Sequence, residues 1–249
     1  LFADLAWNIP EQKTGRLALI GGNAQNFSSV IRTAEFLDRT FPLKQVATIL
    51  PASLRDKLPA SENISFAPAT SGGTFTKSHE LRKAIESADF VMLAGDLSRN
   101  AETAIAISDA ITASETPLLV TRDAVDLLAP TAAQLLSRPH IFLVASMLQL
   151  QKIFRSVYYP RMIMLSQPLV PVIETLHKFT LSYDATILTF HEDNIIVASH
   201  GDLTTTRISD TSYMPLTLWS GQLAAKIAAL NLYNPSKPLE ATTAAILFE

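Results

Sequence analysis

Residues 218–230 read Leu-Trp-Ser-Gly-Gln-Leu-Ala-Ala-Lys-Ile-Ala-Ala-Leu. A small-residue turn, Ser220-Gly221, opens an apolar helix. The unpaired N–H groups and positive dipole end of such a helix suit an anion such as phosphate. The turn has one glycine and no acid, and Gln222 stands at the helix start. A carboxamide has no useful basicity near neutral pH, so this stretch offers anion binding without a proton acceptor. Trp219 beside it is either a ligand-facing aromatic or a packed one.

Four other turns hold residues with chemical potential. Gly21–Phe27 could set backbone amides of Gly22 and Asn23 beside a ligand. It lacks the G-x-G-x-x-G spacing of a dinucleotide fingerprint and the G-K-[ST] of a P-loop, and the plainer reading is a glycine turn with Ser28 as N-cap. Gly95–Asn100 places Asp96 and Arg99 either at a phosphate or in an N-cap turn before a helix. Thr121–Asp126 offers Asp123 and Asp126, one of which reads as a helix cap. Val144–Gln149 has only Ser146 and Gln149, which do not readily hold a metal or move a proton. The five histidines, His79, His140, His177, His191 and His200, are far apart with no i, i+4 pair. They read as solvated turn residues, and no metal site is expected. No G-x-S-x-G elbow is present. With no cysteine in the chain, thiol nucleophiles, disulfides and thiolate metal sites are excluded.

The elements that must position these turns alternate in kind. Arg16–Gly22 (RLALIGG) reads as a buried strand and Ser28–Arg39 as a helix, with Val30, Ile31, Ala34 and Leu37 at helical spacing. Lys44–Pro51 reads as a strand, followed by an exposed loop over Ser61–Lys77 with Gly72-Gly73 as its flexible point. A charged helix (Ser78–Ser87), a strand (Ala88–Asp96) and an Ala/Ile-rich helix (Glu102–Ser114) follow. Leu118–Val120 reads as a strand ending in a turn, and His140–Ser146 as another strand. Arg161–Phe179 reads either as a short strand and a helix or as one helix disturbed at Pro171. After Thr180, β-branched residues broken by turn clusters at His191–Asn194 and His200–Asp202 predict an antiparallel meander. Helices return at Gly221–Leu232 and Leu239–Leu247. The alternation predicts an α/β fold, a mostly parallel sheet with helices on both faces, in which ligands sit beyond the carboxyl ends of the strands. No linker, repeat or low-complexity tract divides the chain, so 1–249 reads as a single domain.

Composition bounds the function. The chain has 249 residues, 48% hydrophobic and 17% charged, enough apolar material for a full core. A net charge of −3 gives no basic surplus for nucleic acid, and no partner of that kind is expected. No window has the apolar length of a membrane span. The stretch LFADLAWNIPEQK lacks the basic and apolar regions of a signal peptide, so a cytoplasmic location is expected.

In order, these pieces resemble the ribokinase-like superfamily and, within it, the ADP/ATP-dependent NAD(P)H-hydrate dehydratases. KTGRLALIGGNAQNFSSV is similar to that family's first strand and glycine turn. SADFVMLAGDLSRNAET stands where it has an alanine-aspartate strand and G-P-G-L-G-R, and PLLVTRDAVDLLA resembles P-x-V-x-D-A-D-A-L-x-L-L. IFLVASMLQLQKI falls on L-T-P-H-x-G-E, DATILTFHEDNIIVASHGD on the hairpin, and WSGQLAAKIAALNLYNPSKPLEA on the G-[ST]-G-D helix and its sequel. The resemblance implies a three-layer α/β/α fold.

The signature residues depart from the family pattern together. Gln222 stands at the family's catalytic aspartate, Trp219 at its first glycine and Gly221 at the second. Val144, Ala145, Ser146, Leu148 and Gln149 occupy T-P-H-x-G-E positions. Thr121 replaces the first aspartate of D-A-D, while Asp123 matches the second. Ser182-Tyr183 replaces a Lys-Gly pair, and Ala94, Asp96 and Ser98 fall where glycines would be.

The resemblance therefore implies a divergent homologue with the dehydratase reaction lost or much reduced, since losing a general base costs ~10²–10⁴ in rate. Ser220, Gly221, Gln222, Gly22 and Asn23 are its candidate nucleotide- or anion-binding residues. Asp96, Arg99, Asp123, Ser146 and Gln149 are its candidate substrate pocket. The alternative is an active dehydratase, or a small-molecule kinase, whose carboxylate has relocated to Asp96, Asp123 or Asp210. If the family function is retained, the ligands are ADP or ATP and NAD(P)H hydrate; by analogy, a homo-oligomer is also expected.

Overall fold

The computed structural model describes residues 9–208 and 220–247. Nine strands form one sheet in the order β3-β2-β1-β4-β5-β6-β7-β8-β9. They are β1 (Thr14–Gly21), β2 (Leu43–Pro51), β3 (Ile64–Ala67), β4 (Phe90–Gly95), β5 (Leu118–Thr121), β6 (Ile141–Val144), β7 (Ala185–His191), β8 (Asn194–Ser199) and β9 (Asp202–Arg207). Pairing is parallel from β3 through β7. The β7–β8 and β8–β9 pairs are antiparallel, the expected meander. The helices are α1 (Ser28–Thr40), α2 (His79–Glu86), α3 (Ala101–Thr112), α4 (Asp123–Leu128), α5 (Ala132–Leu136), α6 (Met147–Ser156), α7 (Leu169–Ser182), α8 (Gln222–Tyr233) and α9 (Pro238–Leu247).

Alternation along the strands divides the core between two faces. Leu17, Leu19, Met92 and Leu119 join α1, α8 and α9 in one cluster. Ala18, Ile20, Val91, Leu93 and Val120 join α2 to α7 in the other. The result is helices, sheet, helices. Parallel strands covered on both faces need continuous apolar runs, and β4, β5 and β6 are buried along their whole length. Helix α8 is buried nearly all round, and its Ala224, Ala225, Ala228 and Ala229 let it lie close over β1, β4 and β5. The edge strand β9 is the opposite case: Asp-Leu-Thr-Thr-Thr-Arg leaves it largely solvated.

Several expectations need correction. Ser61–Lys77 is not simply an exposed loop. It contains β3, paired with β2, and then turns inward, burying Gly73, Thr74 and Phe75. The Gly73 carbonyl accepts from the Ala24 amide and the Ser53 hydroxyl, so this point is tied down. The turn expected after β5 is confined to Arg122, and the helix that follows it, α4, already starts at Asp123. Within 161–179 there is neither a strand nor a disturbed helix: α7 starts at Leu169, and Pro171 sits in its first turn, where a missing N–H costs no helical bond. Buried His191, with Nε2 2.7 Å from the Gln167 carbonyl, is not a solvated turn residue. Ser28 is the first residue of α1 rather than its cap; Phe27 holds the N-cap position without a side-chain bond. Residues Asp210 and Trp219 lie outside the described part of the chain.

Candidate functional site

Strand order reverses between β1 and β4, the place where open α/β sheets bind ligands. Here the two glycine turns close on each other. The Gly22 amide donates to the Gly95 carbonyl at 3.0 Å, and Asn23 Nδ2 donates to the Asp96 carbonyl at 2.7 Å. The Asn23 side-chain oxygen caps its own turn, accepting from the Gln25 and Asn26 amides at 2.9 and 3.0 Å. Gly22 and Asn23 are thus brought to the β4 turn, with the Asn23 amide group engaged at both ends.

The β4 turn is held from β5. Asp123 accepts the Asp96 amide on Oδ1 at 2.7 Å and the Leu97 amide on Oδ2 at 3.0 Å. Neither Asp123 nor Asp126 caps α4, contrary to expectation; the α4 N-cap is Arg122, which makes no side-chain capping bond. Gly95 has φ +88°, and a Cβ there would lie 2.7 Å from Asp123 Oδ1, so this junction needs glycine. Asp96 (φ 57°) and Ser98 (φ 69°) keep a left-handed backbone without being glycine. The Arg122 guanidinium grips Asp96 through Nη2–Oδ1 at 2.8 Å and Nη1–Oδ2 at 3.2 Å, and donates to Ser29 Oγ of α1 at 2.7 Å. Ser29 Oγ also donates to Asp96 Oδ2. Both candidate relocated carboxylates within the described chain are therefore engaged, Asp96 by a cation and Asp123 by backbone amides. The Gly95–Asn100 stretch does end in an N-cap turn: Asn100 caps α3, accepting from the Glu102 and Thr103 amides.

The start of α8 adjoins the same first turns of α1. Gly221 has φ +98°, and a Cβ would lie 2.9 Å from Thr33 Oγ1; that hydroxyl donates to the Ser29 carbonyl at 2.8 Å. Ser220 and Gln222 are exposed at this helix start, and the Gln222 amide reaches Ser220 Oγ only at 3.5 Å. An anion there would meet the leading N–H groups of a twelve-residue helix.

One strand further along lies an open cleft of about 410 Å³, lined by Arg99, Arg122, Asp126, Ser146, Leu148, Gln149 and Lys152. Ser146 and Gln149 form a capping box at the start of α6. Gln149 Oε1 accepts from the Ser146 amide at 2.9 Å, while Nε2 donates to the Arg122 carbonyl at 2.7 Å and to Asp126 Oδ2 at 2.9 Å. Asp126 also pairs with Lys152 through Oδ1, and Arg99 lies 3.8 Å from Oδ2. Burial alone would raise the Asp126 pKa. Hydrogen bonds from Lys152 and Gln149, with the charges of Lys152 and Arg99, outweigh it and hold the carboxyl below its ordinary value.

The candidates thus fall into three neighbouring groups: Ser220, Gly221 and Gln222 at α8; Gly22, Asn23, Asp96 and Asp123 at the β1–β4 junction; Arg99, Ser146 and Gln149 in the cleft. Ser29, Thr33, Arg122 and Lys152 were not anticipated. The Ser-x-x-Gln spacing of Ser146 and Gln149 was a legible capping-box signal. Nothing local marks Arg122, since its role depends on α1 and β4. Among the described residues, no group of three or more His, Cys, Asp or Glu side chains could hold a metal ion.

A sheet in this order, with an antiparallel meander and a glycine-started helix over β1 and β4, is the ribokinase-like fold. The structure is similar to that of a ribokinase-like superfamily protein from Enterococcus faecalis V583, with TM-score 0.74 and 16% identity, covering 99% of this chain and 84% of that one. It is similar to the ADP/ATP-dependent NAD(P)H-hydrate dehydratase of Bacillus subtilis, with TM-score 0.63 and 13% identity over 99% of this chain and 84% of that one. It is also similar to the hydroxyethylthiazole kinase protein of Pyrococcus horikoshii OT3, with TM-score 0.63 and 13% identity over 98% of this chain and 81% of that one. No family model matches the sequence, and no curated protein matches it. Likeness at these identities shows the fold.

Proposed function

We propose that this chain is a divergent relative of the NAD(P)H-hydrate dehydratases that retains an anion or nucleotide site and has lost, or nearly lost, the dehydratase reaction. One observation carries the reading. The residue opening α8 is Gln222, and the nearby carboxylates Asp96 and Asp123 already have partners on both oxygens. A base must accept a proton from the attacking hydroxyl. An amide lacks the basicity, and each of these carboxylates is committed on both oxygens to a guanidinium or to two backbone amides rather than to a substrate hydroxyl. Binding needs less: Gly221 and the leading amides of α8 can still face a phosphate.

Incubating the purified protein with hydrated NADH and ADP or ATP tests the catalytic half. The expected outcome is no turnover above the uncatalysed background, and robust turnover rejects the proposal. Thermal-shift titration with ADP, ATP, NAD and NADH tests the binding half, because a ligand that binds the folded state raises the melting temperature.

A further inference from the structure

We infer that the cleft between the ends of β4, β5 and β6 binds the phosphate group of a small phosphomonoester directly through Arg99 and Lys152, without a bridging divalent cation. The inference deepens the proposed binding function, on which it rests, by naming a ligand class and a place for it beside α6 rather than α8.

Charge comes first. Among the described residues, three cations, Arg99, Arg122 and Lys152, and one carboxylate, Asp126, line the cleft. Arg122 is turned toward Asp96 and neutralised there. That leaves Arg99 and Lys152 against the single charge of Asp126, a surplus of one positive charge at the mouth of a concave site.

Donor capacity comes second. A lysine ammonium has three N–H donors and a guanidinium five. Lys152 gives one to Asp126, and Arg99 stands at 3.8 Å from the same carboxylate, beyond a normal hydrogen bond. Their side chains are 52% and 75% exposed, so the remaining donors are open to an arriving anion. Asp126 faces both cations, Lys152 through Oδ1 and Arg99 through Oδ2, so the two stand at the same cleft.

The oxygen atoms come third. A magnesium ion needs oxygen donors. Among the described residues Asp126 is the one carboxylate lining the cleft, and it already accepts from Lys152 on Oδ1 and from Gln149 on Oδ2, while Gln149 Oε1 accepts from the Ser146 amide, so a metal ion there would have to share each of these oxygens with a bound donor. Direct ion pairing is therefore the mode these residues favour. A volume of about 410 Å³ accommodates a phosphate with an organic moiety, and the half-exposed Leu148 at the rim offers that moiety an apolar contact.

The test is calorimetric titration of the full chain with AMP, in EDTA and in magnesium, with adenosine as the uncharged comparison. The expected result is AMP binding in EDTA, no comparable binding of adenosine, and competition by inorganic phosphate. Arg99→Ala and Lys152→Ala should each weaken AMP binding about tenfold, the scale of a charge-assisted hydrogen bond. Lys83→Ala, the same loss of charge on α2, should not. Circular dichroism and melting of each variant separate loss of binding from loss of fold. No AMP binding, a strict magnesium requirement, or binding unchanged in both cleft variants overturns the inference. Binding lost in Gln222→Glu and unchanged in Arg99→Ala and Lys152→Ala would place the phosphate at α8, overturning the cleft while upholding the proposed function.

Discussion

Gln149 shows at the residue scale how its neighbours can demand an amide at one position. Its amide donates to the Arg122 carbonyl and to Asp126, two acceptors that a glutamate could only repel. Gln149→Glu is expected to destabilise the protein by about 1–3 kcal/mol at neutral pH. Urea denaturation reads that loss, and it should shrink on acidification as the introduced carboxylate or Asp126 takes a proton. Asp126 makes a second prediction. Its pKa is lowered in the folded protein, so its contribution to stability is present above the ordinary carboxylate range and is lost as pH falls below that range through the lower folded value. Lys152→Met should bring the Asp126 titration up toward the ordinary value, as followed by carboxyl NMR, and move that loss to higher pH.

Elements meet at this site through backbone geometry as much as through charge. Helix α8 begins on a left-handed glycine pressed against Thr33 of α1, and α1 carries Ser29 to the Asp96–Arg122 pair. Gly221→Ala would add both a strained φ and a contact at 2.9 Å with Thr33 Oγ1. A cost of about 1–3 kcal/mol is expected from thermal unfolding. If α8 holds an anion, the same variant also loses the anion-dependent rise in melting temperature. The β4 turn behaves similarly: Asp96 and Ser98 hold left-handed backbones that glycine would adopt freely, and the two amides bound to Asp123 help keep the turn in place.

Over the whole molecule, stability should follow depth in the sheet. Strands β1, β4, β5 and β6 have neighbours on both edges and helices on both faces, whereas β3 and β9 are edges. Native-state hydrogen exchange is expected to show the slowest amides in β1, β4 and β5 and much faster exchange in β9; equal protection across the sheet would contradict this. No helix among the described residues is long and apolar enough to cross a membrane.

The sequence by itself determined the strand–helix alternation, the antiparallel meander and the amide at the start of α8. These rest on apolar periodicity, turn chemistry and residue identity, which are local. It misread Ser61–Lys77, because β3 is a four-residue edge strand whose pairing comes from β2 and whose Gly-Gly turn is tied down from Ala24 and Ser53. It also left His191 in solvent, since its partner, the Gln167 carbonyl, comes from the segment before α7, 24 residues away in the chain. Tertiary structure alone decided that Asp123 holds the β4 turn, that Arg122 grips Asp96, and that Arg99 and Lys152 share one cleft. Those partners are far apart in the chain, and hydrogen bonds and ion pairs act through distance in space.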